Sequence, residues 1–195
     1  SFFIFSIISL ISDIFIPVFH MTITIEETLH GGIILELLSA LAKEKKEVYH
    51  SFRRGKSTSA YYFEIQKSEK KSFNFFRKDE QKTFKIGCYI KTSRARRSPW
   101  RYTFIKEHQA EIEEMKKETD QVFVLLLAGT DGVALLAYEQ LKKLLDEQFE
   151  DSEWLSVSRK FNQYYRVDGH DGKKKLNVPK NSFPSDIVAY IKSKL

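Results

Sequence analysis

Apolar residues recur along the chain at two spacings, which predict helices and strands in a definite order. From Gly31 to Lys46 they return every three or four positions and form one stripe, which predicts an amphipathic helix. Short apolar segments separated by charged turns then predict a β-meander. Its strands are expected at residues 48–52, 60–65, 72–76 and 83–91, and the last strand is expected to be the most buried.

The second half of the chain alternates helices and strands. A helix is predicted from Ile105 to Glu118, and the unbroken apolar run from Val122 to Ala128 is typical of a strand covered on both faces. The further elements are a strand at 133–137, a helix at 138–149, a strand at 154–157, a hairpin at 163–178 and a helix at 187–194. This order predicts an α/β fold in which helices pack on a mixed central β-sheet.

Length and composition favour one folded unit. A chain of 195 residues, 42% of them hydrophobic, can bury a core and has the size of a single domain. We assign that domain to residues 21–195, because residues 1–20 are strongly apolar, contain Asp13 and Pro17, and make a poor signal peptide. Our hypothesis is that residues 1–20 are translated upstream sequence outside the fold, and a membrane anchor is the alternative.

The charge of the chain permits a nucleic-acid partner without requiring one. The formal net charge is +6, and it is segregated: the basic segment 91–101 has no acid, whereas Glu107 to Asp120 holds six acids and two lysines. A charged face that is simply solvated is the alternative. The single cysteine, Cys88, excludes an internal disulfide and predicts a reducing, cytoplasmic setting.

The segment Gly55-Lys-Ser-Thr58 has the form of the end of a phosphate-binding loop, but the rest of that motif is missing. The position that requires a glycine, five residues earlier, is His50, and the segment leads into a strand rather than a helix. We therefore exclude nucleoside-triphosphate binding and predict a basic turn. A phosphate contact on DNA or RNA stays open.

The order of elements resembles that of one nuclease superfamily. Helix, strand, basic turn, strand, strand, strand ending at Lys91, helix and apolar strand occur in this order in the restriction-endonuclease-like, or PD-(D/E)xK, superfamily, especially its archaeal Holliday-junction-resolvase-like branch. The resemblance covers roughly residues 31–145. Members hold a divalent metal with acids from a helix and two strands, and a strand-end lysine stabilises the scissile phosphate or positions water. The resemblance implies Mg²⁺-dependent hydrolysis of DNA.

Carried over residue by residue, the resemblance assigns four site residues. Lys91 would be the strand-end lysine, Glu64 the first-strand acid, Glu36 the helical acid and Gln109 the helix glutamine. In this scheme Glu36 and Glu64 would hold Mg²⁺, and Lys91 would offset the charge that develops on the phosphate in the transition state.

The chain departs from the family pattern near the lysine. The pattern has an acid two residues before the lysine, where this chain has Tyr89, and its first-strand acid is usually aspartate rather than the Glu64 found here. Either an acid has moved, or the chain is a degenerate member that binds nucleic acid without cutting it. Taken singly, each residue also has a structural interpretation, in which Glu36 and Glu64 face solvent and Lys91 extends from a strand end.

Further basic residues are candidate contacts to nucleic acid. Arginine binds phosphate oxygens bidentately, and Trp100 and Tyr102 are candidates to stack on bases. The alternative is an exposed loop that Trp100 and Phe104 anchor to the core. The candidates are Arg53, Arg54, Lys56, Arg94, Arg96, Arg97 and Arg101. DNA is the expected partner, and homodimerisation is left open. The alternative is a protein-interaction module whose basic loop is only solvated.

Overall fold

The computed structural model describes residues 23–43, 48–67, 83–145, 152–170 and 175–194, which form four helices and nine strands. The helices are α1 (Ile25–Ala42), α2 (Lys106–Glu118), α3 (Tyr138–Leu141) and α4 (Ser182–Lys194). The strands are β1 (Val48–Arg54), β2 (Ala60–Lys67), β3 (Thr83–Thr92), β4 (Trp100–Ile105), β5 (Gln121–Leu127), β6 (Val133–Ala137), β7 (Ser152–Ser158), β8 (Tyr165–Gly169) and β9 (Leu176–Val178). The expected strand at 72–76 and the apolar segment 1–20 lie outside the described residues.

The first sheet is mixed, as predicted. Its strand order is β1-β2-β3-β5-β6, with β3 parallel to β5 and every other neighbouring pair antiparallel. A tight turn cannot join parallel neighbours. The chain therefore leaves the sheet after Thr92, crosses one face through β4 and α2, and re-enters at Gln121.

A second sheet, in the order β4-β7-β8-β9, is antiparallel throughout. The sequence pattern predicted a single central sheet, so this second sheet is a correction. Residues 100–105 lie between a basic loop and the helix predicted from Ile105, and in the structure their side chains alternate between buried and exposed as in a strand.

Two hydrophobic cores lie on opposite faces of the first sheet. Helices α1 and α4 cover one face, where Leu37 and Ile187 pack with Ile86 of β3. Helix α2 and the second sheet cover the other face, where Met115 packs with Tyr89. Strand β3 lies between both cores and is buried on both sides. The predicted α/β class, with helices packed on a mixed sheet, is confirmed.

The Met115 side chain of α2 packs directly on β3 because Gly87 has no side chain. A Cβ atom at Gly87 would lie 2.4 Å from both Cγ and Sδ of Met115, far inside van der Waals contact. At the start of the same helix, Nδ1 of His108 lies 3.3 Å from Nζ of Lys91, at the end of β3.

Several helix boundaries differ from the prediction. Helix α1 begins six residues before Gly31, because Thr24 and Glu27 form a capping box: the Thr24 N–H donates to Glu27 at 2.9 Å, and the Glu27 N–H donates to Thr24 at 3.1 Å. The helix expected at 138–149 ends at Leu141, and residues 146–149 lie outside the described residues. The last helix is assigned from Ser182 rather than 187, with a non-helical backbone at Phe183. Within the described ranges, none of the helices has the length and apolar character needed to cross a membrane.

We predict opposite effects for alanine at two glycines. At Gly169 a Cβ atom would lie 2.1 Å from the carbonyl oxygen of Leu144, so the backbone must move and the free energy of unfolding should fall by about 1–3 kcal/mol. At Gly31, within α1, a Cβ atom meets nothing within 4 Å, and Gly31→Ala should raise the free energy by about 0.5–1 kcal/mol. Urea unfolding measures both. Equal stabilities for wild type and Gly169→Ala would contradict the close packing at β8.

Candidate nucleic-acid interface

Lys91 lies at the carboxyl end of β3, at the point where the chain leaves the first sheet. Its Nζ donates to Nδ1 of His108 at 3.3 Å and lies 5.5 Å from the centre of the Phe104 ring. Burial lowers the pKa of Lys91, and the charge of Glu26 opposes that shift. The strand-end position predicted for this lysine is correct, and its ammonium group contacts His108 on the following helix.

His108 is the third residue of α2, and its ring closes the start of that helix. Nδ1 accepts the Ile105 N–H at 3.3 Å in addition to the Lys91 ammonium, so the proton of the neutral ring is assigned to Nε2. Burial lowers the pKa of His108, and the adjacent positive charge of Lys91 lowers it further. A neutral imidazole thus accommodates the half-buried ammonium without charge repulsion.

Tyr89 occupies the position where the nuclease pattern has an acid, and it is fully buried. Its hydroxyl faces Ser57, Ser59 and Glu111 and makes no direct hydrogen bond to the described residues. Burial raises the pKa of Tyr89, and the charge of Glu111 acts in the same direction. The phenol is therefore neutral, and this position supplies no negative charge for a metal ion.

The first turns of α1 also reach this end of the sheet, which the sequence analysis did not foresee. His30 is fully buried, and its Nδ1 lies 3.0 Å from the Thr58 carbonyl oxygen and 3.2 Å from the Tyr61 hydroxyl. Its Nε2 lies 3.7 Å from Glu26. Two signals were available: the capping box at the start of α1, and the position of His30 three residues before Ile33 on the apolar stripe.

Glu36 and Glu64, the predicted metal ligands, lie on opposite faces of the first sheet. Glu36 is exposed on α1, which covers one face. Glu64 alternates along β2 with Phe63 and Ile65, whose side chains pack on the α1 side, so Glu64 faces the other way. The prediction that these two carboxylates converge is therefore corrected.

Glu64 is also remote from Lys91. It pairs with Lys85 in the β2–β3 register, which leaves roughly 20 Å of β3 between Glu64 and Lys91. Gln109 does lie at this end, buried on α2 beside His108, and its Nε2 has no hydrogen-bond partner among the described residues. Across the described ranges, no three side chains of the His, Cys, Asp or Glu type form a group that could hold a metal ion. The predicted Mg²⁺ ligands thus do not fit a metal centre.

An open groove of about 650 Å³ lies beside Lys91. Lys91, Arg94 and Arg101 bring three positive charges to it, and its described lining contains no carboxylate. Hydroxyl groups of Thr92 and Ser93 lie along the same wall. Cations and hydroxyls without a competing acid are the groups that bind phosphate oxygens.

Three arginines of the loop beside the groove are exposed and uncompensated. Arg94, Arg96 and Arg97 form no ion pair with any residue in the part of the chain that the structure describes. Arg101 differs, because its guanidinium carbon lies 5.8 Å from the centre of the Trp154 ring. The loop therefore presents positive charge directly to solvent.

Trp100 and Tyr102 anchor this loop and are not available to stack on bases. Only 4% of Trp100 and 1% of Tyr102 is exposed. The Tyr102 hydroxyl donates to the carbonyl oxygen of Leu127 at 2.9 Å. The structure thus supports the alternative in which Trp100 and Phe104, which are both buried, anchor the loop, and Tyr102 joins them.

The positive charges of the basic turn at residues 53–56 are paired with carboxylates. Those of the loop that carries Arg94, Arg96 and Arg97, called the arginine loop below, are not. Each of the three cations of the basic turn meets a carboxylate of α1 or α2, so the acidic face of α2 is partly covered by this turn. These contacts differ from the free phosphate contacts that the sequence predicted. The pairs are Arg53–Glu118 at 2.8 Å, Arg54–Glu27 at 3.0 Å and Lys56–Glu114 at 2.8 Å.

Comparison with known proteins adds no family to this description. The chain matches no protein-family model, no curated protein and no solved structure. The fold and the groove define an α/β protein with a mixed sheet and a basic strand end.

We predict that Lys91→Met raises the pKa of His108, because it removes the neighbouring positive charge but keeps a side chain of similar length. Burial remains, so the pKa should stay below that of an exposed histidine. NMR titration of the His108 ring protons measures the shift. Lys106→Met, an exposed change on the same helix, is the control and should leave His108 unaltered. An unchanged His108 in Lys91→Met would mean that the two side chains are not in contact.

Proposed function

We propose that this chain is a nucleic-acid-binding domain with nuclease-like architecture, and that it binds the phosphate backbone of DNA in the groove beside Lys91. The observation that carries the proposal is the set of cations at this groove. Lys91, Arg94 and Arg101 line it without a carboxylate among the described lining residues, and Arg96 and Arg97 extend the basic surface beside it.

The topology supports a relation to the restriction-endonuclease-like superfamily. The described part of the chain contains α1, β1, β2, β3, α2 and the parallel strand β5 in the expected order. The expected strand at 72–76 lies outside the described residues, and β4 is an additional strand between β3 and α2. Lys91 stands at the end of β3, and Gln109 lies on α2. This agreement concerns the arrangement of elements, and the chemistry has to be argued from the side chains.

Those side chains favour the non-catalytic alternative. Tyr89 replaces the acid before the lysine, and Glu36 and Glu64 lie on opposite faces of the sheet. No hydrolytic step through Mg²⁺ follows from this arrangement. Glu26 and Glu111 are the carboxylates whose charges act on Lys91 and Tyr89, so they are the residues to test if cleavage is observed.

We predict that Arg94→Ala/Arg96→Ala/Arg97→Ala weakens binding to duplex DNA about tenfold or more at ~0.1 M salt and lowers the salt slope by about 2–3 units. Fluorescence anisotropy of a labelled duplex, measured at several salt concentrations with the full chain, gives both quantities. The matched control is Arg53→Ala/Arg54→Ala/Lys56→Ala. It removes the same net charge from cations that already have carboxylate partners, so its salt slope should change far less.

The comparison of the two triple variants decides the proposal. If both triple variants bind duplex DNA equally weakly, the effect is one of net charge alone. If both bind it as tightly as the wild type, the groove beside Lys91 is not the DNA-binding site. The same samples, incubated with and without Mg²⁺ or Mn²⁺ and run on a gel, test cleavage. Metal-dependent cutting that is lost in a folded Lys91→Ala variant would show that the protein is a nuclease rather than a non-catalytic binding module. Absence of binding to duplex DNA, single-stranded DNA and RNA would favour a protein-interaction module.

A further inference from the structure

Two exposed aromatic rings lie on the turn between β7 and β8, and neither is among the residues that line the groove beside Lys91. Phe161 is 86% exposed and Tyr164 is 63% exposed, which makes them the most exposed aromatic side chains of the described residues. A single exposed ring is ordinary on a protein surface. Two rings three positions apart on one short turn form a local aromatic surface, which we call the aromatic turn (residues 159–164).

The aromatic turn forms one side of an open groove of about 1070 Å³. Four side-chain amides line this groove, and each offers both a donor and an acceptor: Asn162, Gln163, Asn177 and Asn181. Arg159, Arg166 and Lys180 add positive charge, and the described lining contains no carboxylate. Rings, amides and cations are the groups that bind base faces, base edges and phosphates, respectively.

Contacts at the base of the aromatic turn hold it in place. Two guanidinium nitrogens of Arg159 donate to the carboxylate of Asp131, one of them at 2.6 Å. Within the turn, the Gln163 N–H donates to the Lys160 carbonyl oxygen at 3.1 Å, and Asn162 adopts the left-handed conformation at φ 58°. The exposed rings are thus carried by an ordered backbone, which reduces the entropy lost when a ligand binds.

The charge around this groove favours an anionic ligand. The negative charge of Asp131 is paired with Arg159 and with Lys180, which lies 3.8 Å away. Asp168 is shared between Arg166 at 3.9 Å and Lys175 at 3.5 Å. Each of these acids therefore faces two cations, and the surface keeps an excess of positive charge.

The two basic surfaces are neighbours in the fold. The Arg159 N–H donates to the hydroxyl of Ser98 at 3.1 Å, which joins the aromatic turn to the loop that carries Arg94, Arg96 and Arg97. The two loops that carry these basic residues are therefore in direct contact.

We infer that the aromatic turn binds single-stranded nucleic acid by stacking unpaired bases on Phe161 and Tyr164, while the arginine loop holds the adjoining backbone. Bases within a duplex already stack on one another and do not offer their faces to these rings, so an unpaired stretch is the matching ligand. This inference rests on the proposed nucleic-acid binding and specifies its substrate: DNA or RNA with a single-stranded segment.

The test is the double variant Phe161→Ala/Tyr164→Ala in the full chain, with Phe161→Tyr/Tyr164→Phe as the control that keeps both rings. Anisotropy is measured with a labelled 20-nucleotide single strand and with a 20-base-pair duplex. The alanine variant should bind the single strand about tenfold or more weakly, as expected for lost base–aromatic stacking, and should bind the duplex with unchanged affinity. The control should bind both as the wild type does. Photocrosslinking with a single strand containing 5-iodouracil should label the peptide that contains residues 159–164.

Each outcome bears on a different part of the argument. Unchanged single-strand binding in the alanine variant, without crosslinks to the aromatic turn, would overturn this inference but leave the groove beside Lys91 as the binding site. An equal loss for single strand and duplex would also overturn the assignment to unpaired bases. A wild type that binds neither ligand would overturn the proposed function itself. Circular dichroism melting checks the fold of each variant, and no large change is expected because both rings are exposed.

Discussion

The parallel pairing of β3 with β5 is the constraint on which the rest of the structure depends. Parallel neighbours require a crossover, so residues 93–120 must pass over one face of the sheet before the chain returns. That crossover supplies the arginine loop, the first strand of the second sheet, and helix α2. Lys91 stands where the crossover departs, and the groove opens there because the sheet ends on one side and α2 begins on the other.

Two basic segments of similar composition have different electrostatic roles, and the difference lies in their partners. The turn at 53–56 packs beside acidic residues of α1 and α2, which leaves little uncompensated charge. Arg94, Arg96 and Arg97, on the loop between β3 and β4, are exposed and form no ion pair with the described residues. Local sequence does not distinguish the two segments, because the pairing of their cations with carboxylates depends on where the helices pack on the sheet.

The strands of the first sheet could be predicted because they are apolar and well separated by charged turns. The second sheet could not, since its first strand follows a basic loop and its alternation spans only six residues. For the site, the strand-end position of Lys91 was predictable from where an apolar run meets a charge. The sides of the sheet on which Glu36 and Glu64 lie were not predictable. The two faces of β2 can be told apart only once it is known that α1, which carries Glu36, covers one of them.

The burial of Tyr89 has a consequence for the charge at the end of the central strand. A carboxylate at that position would share a buried site with Glu111, and two such charges stay ionised together only if a cation lies between them. With a neutral phenol there, Glu111 has no second carboxylate beside it at this position. Residue 89 therefore fills the space at the end of the central strand without adding a charge to it.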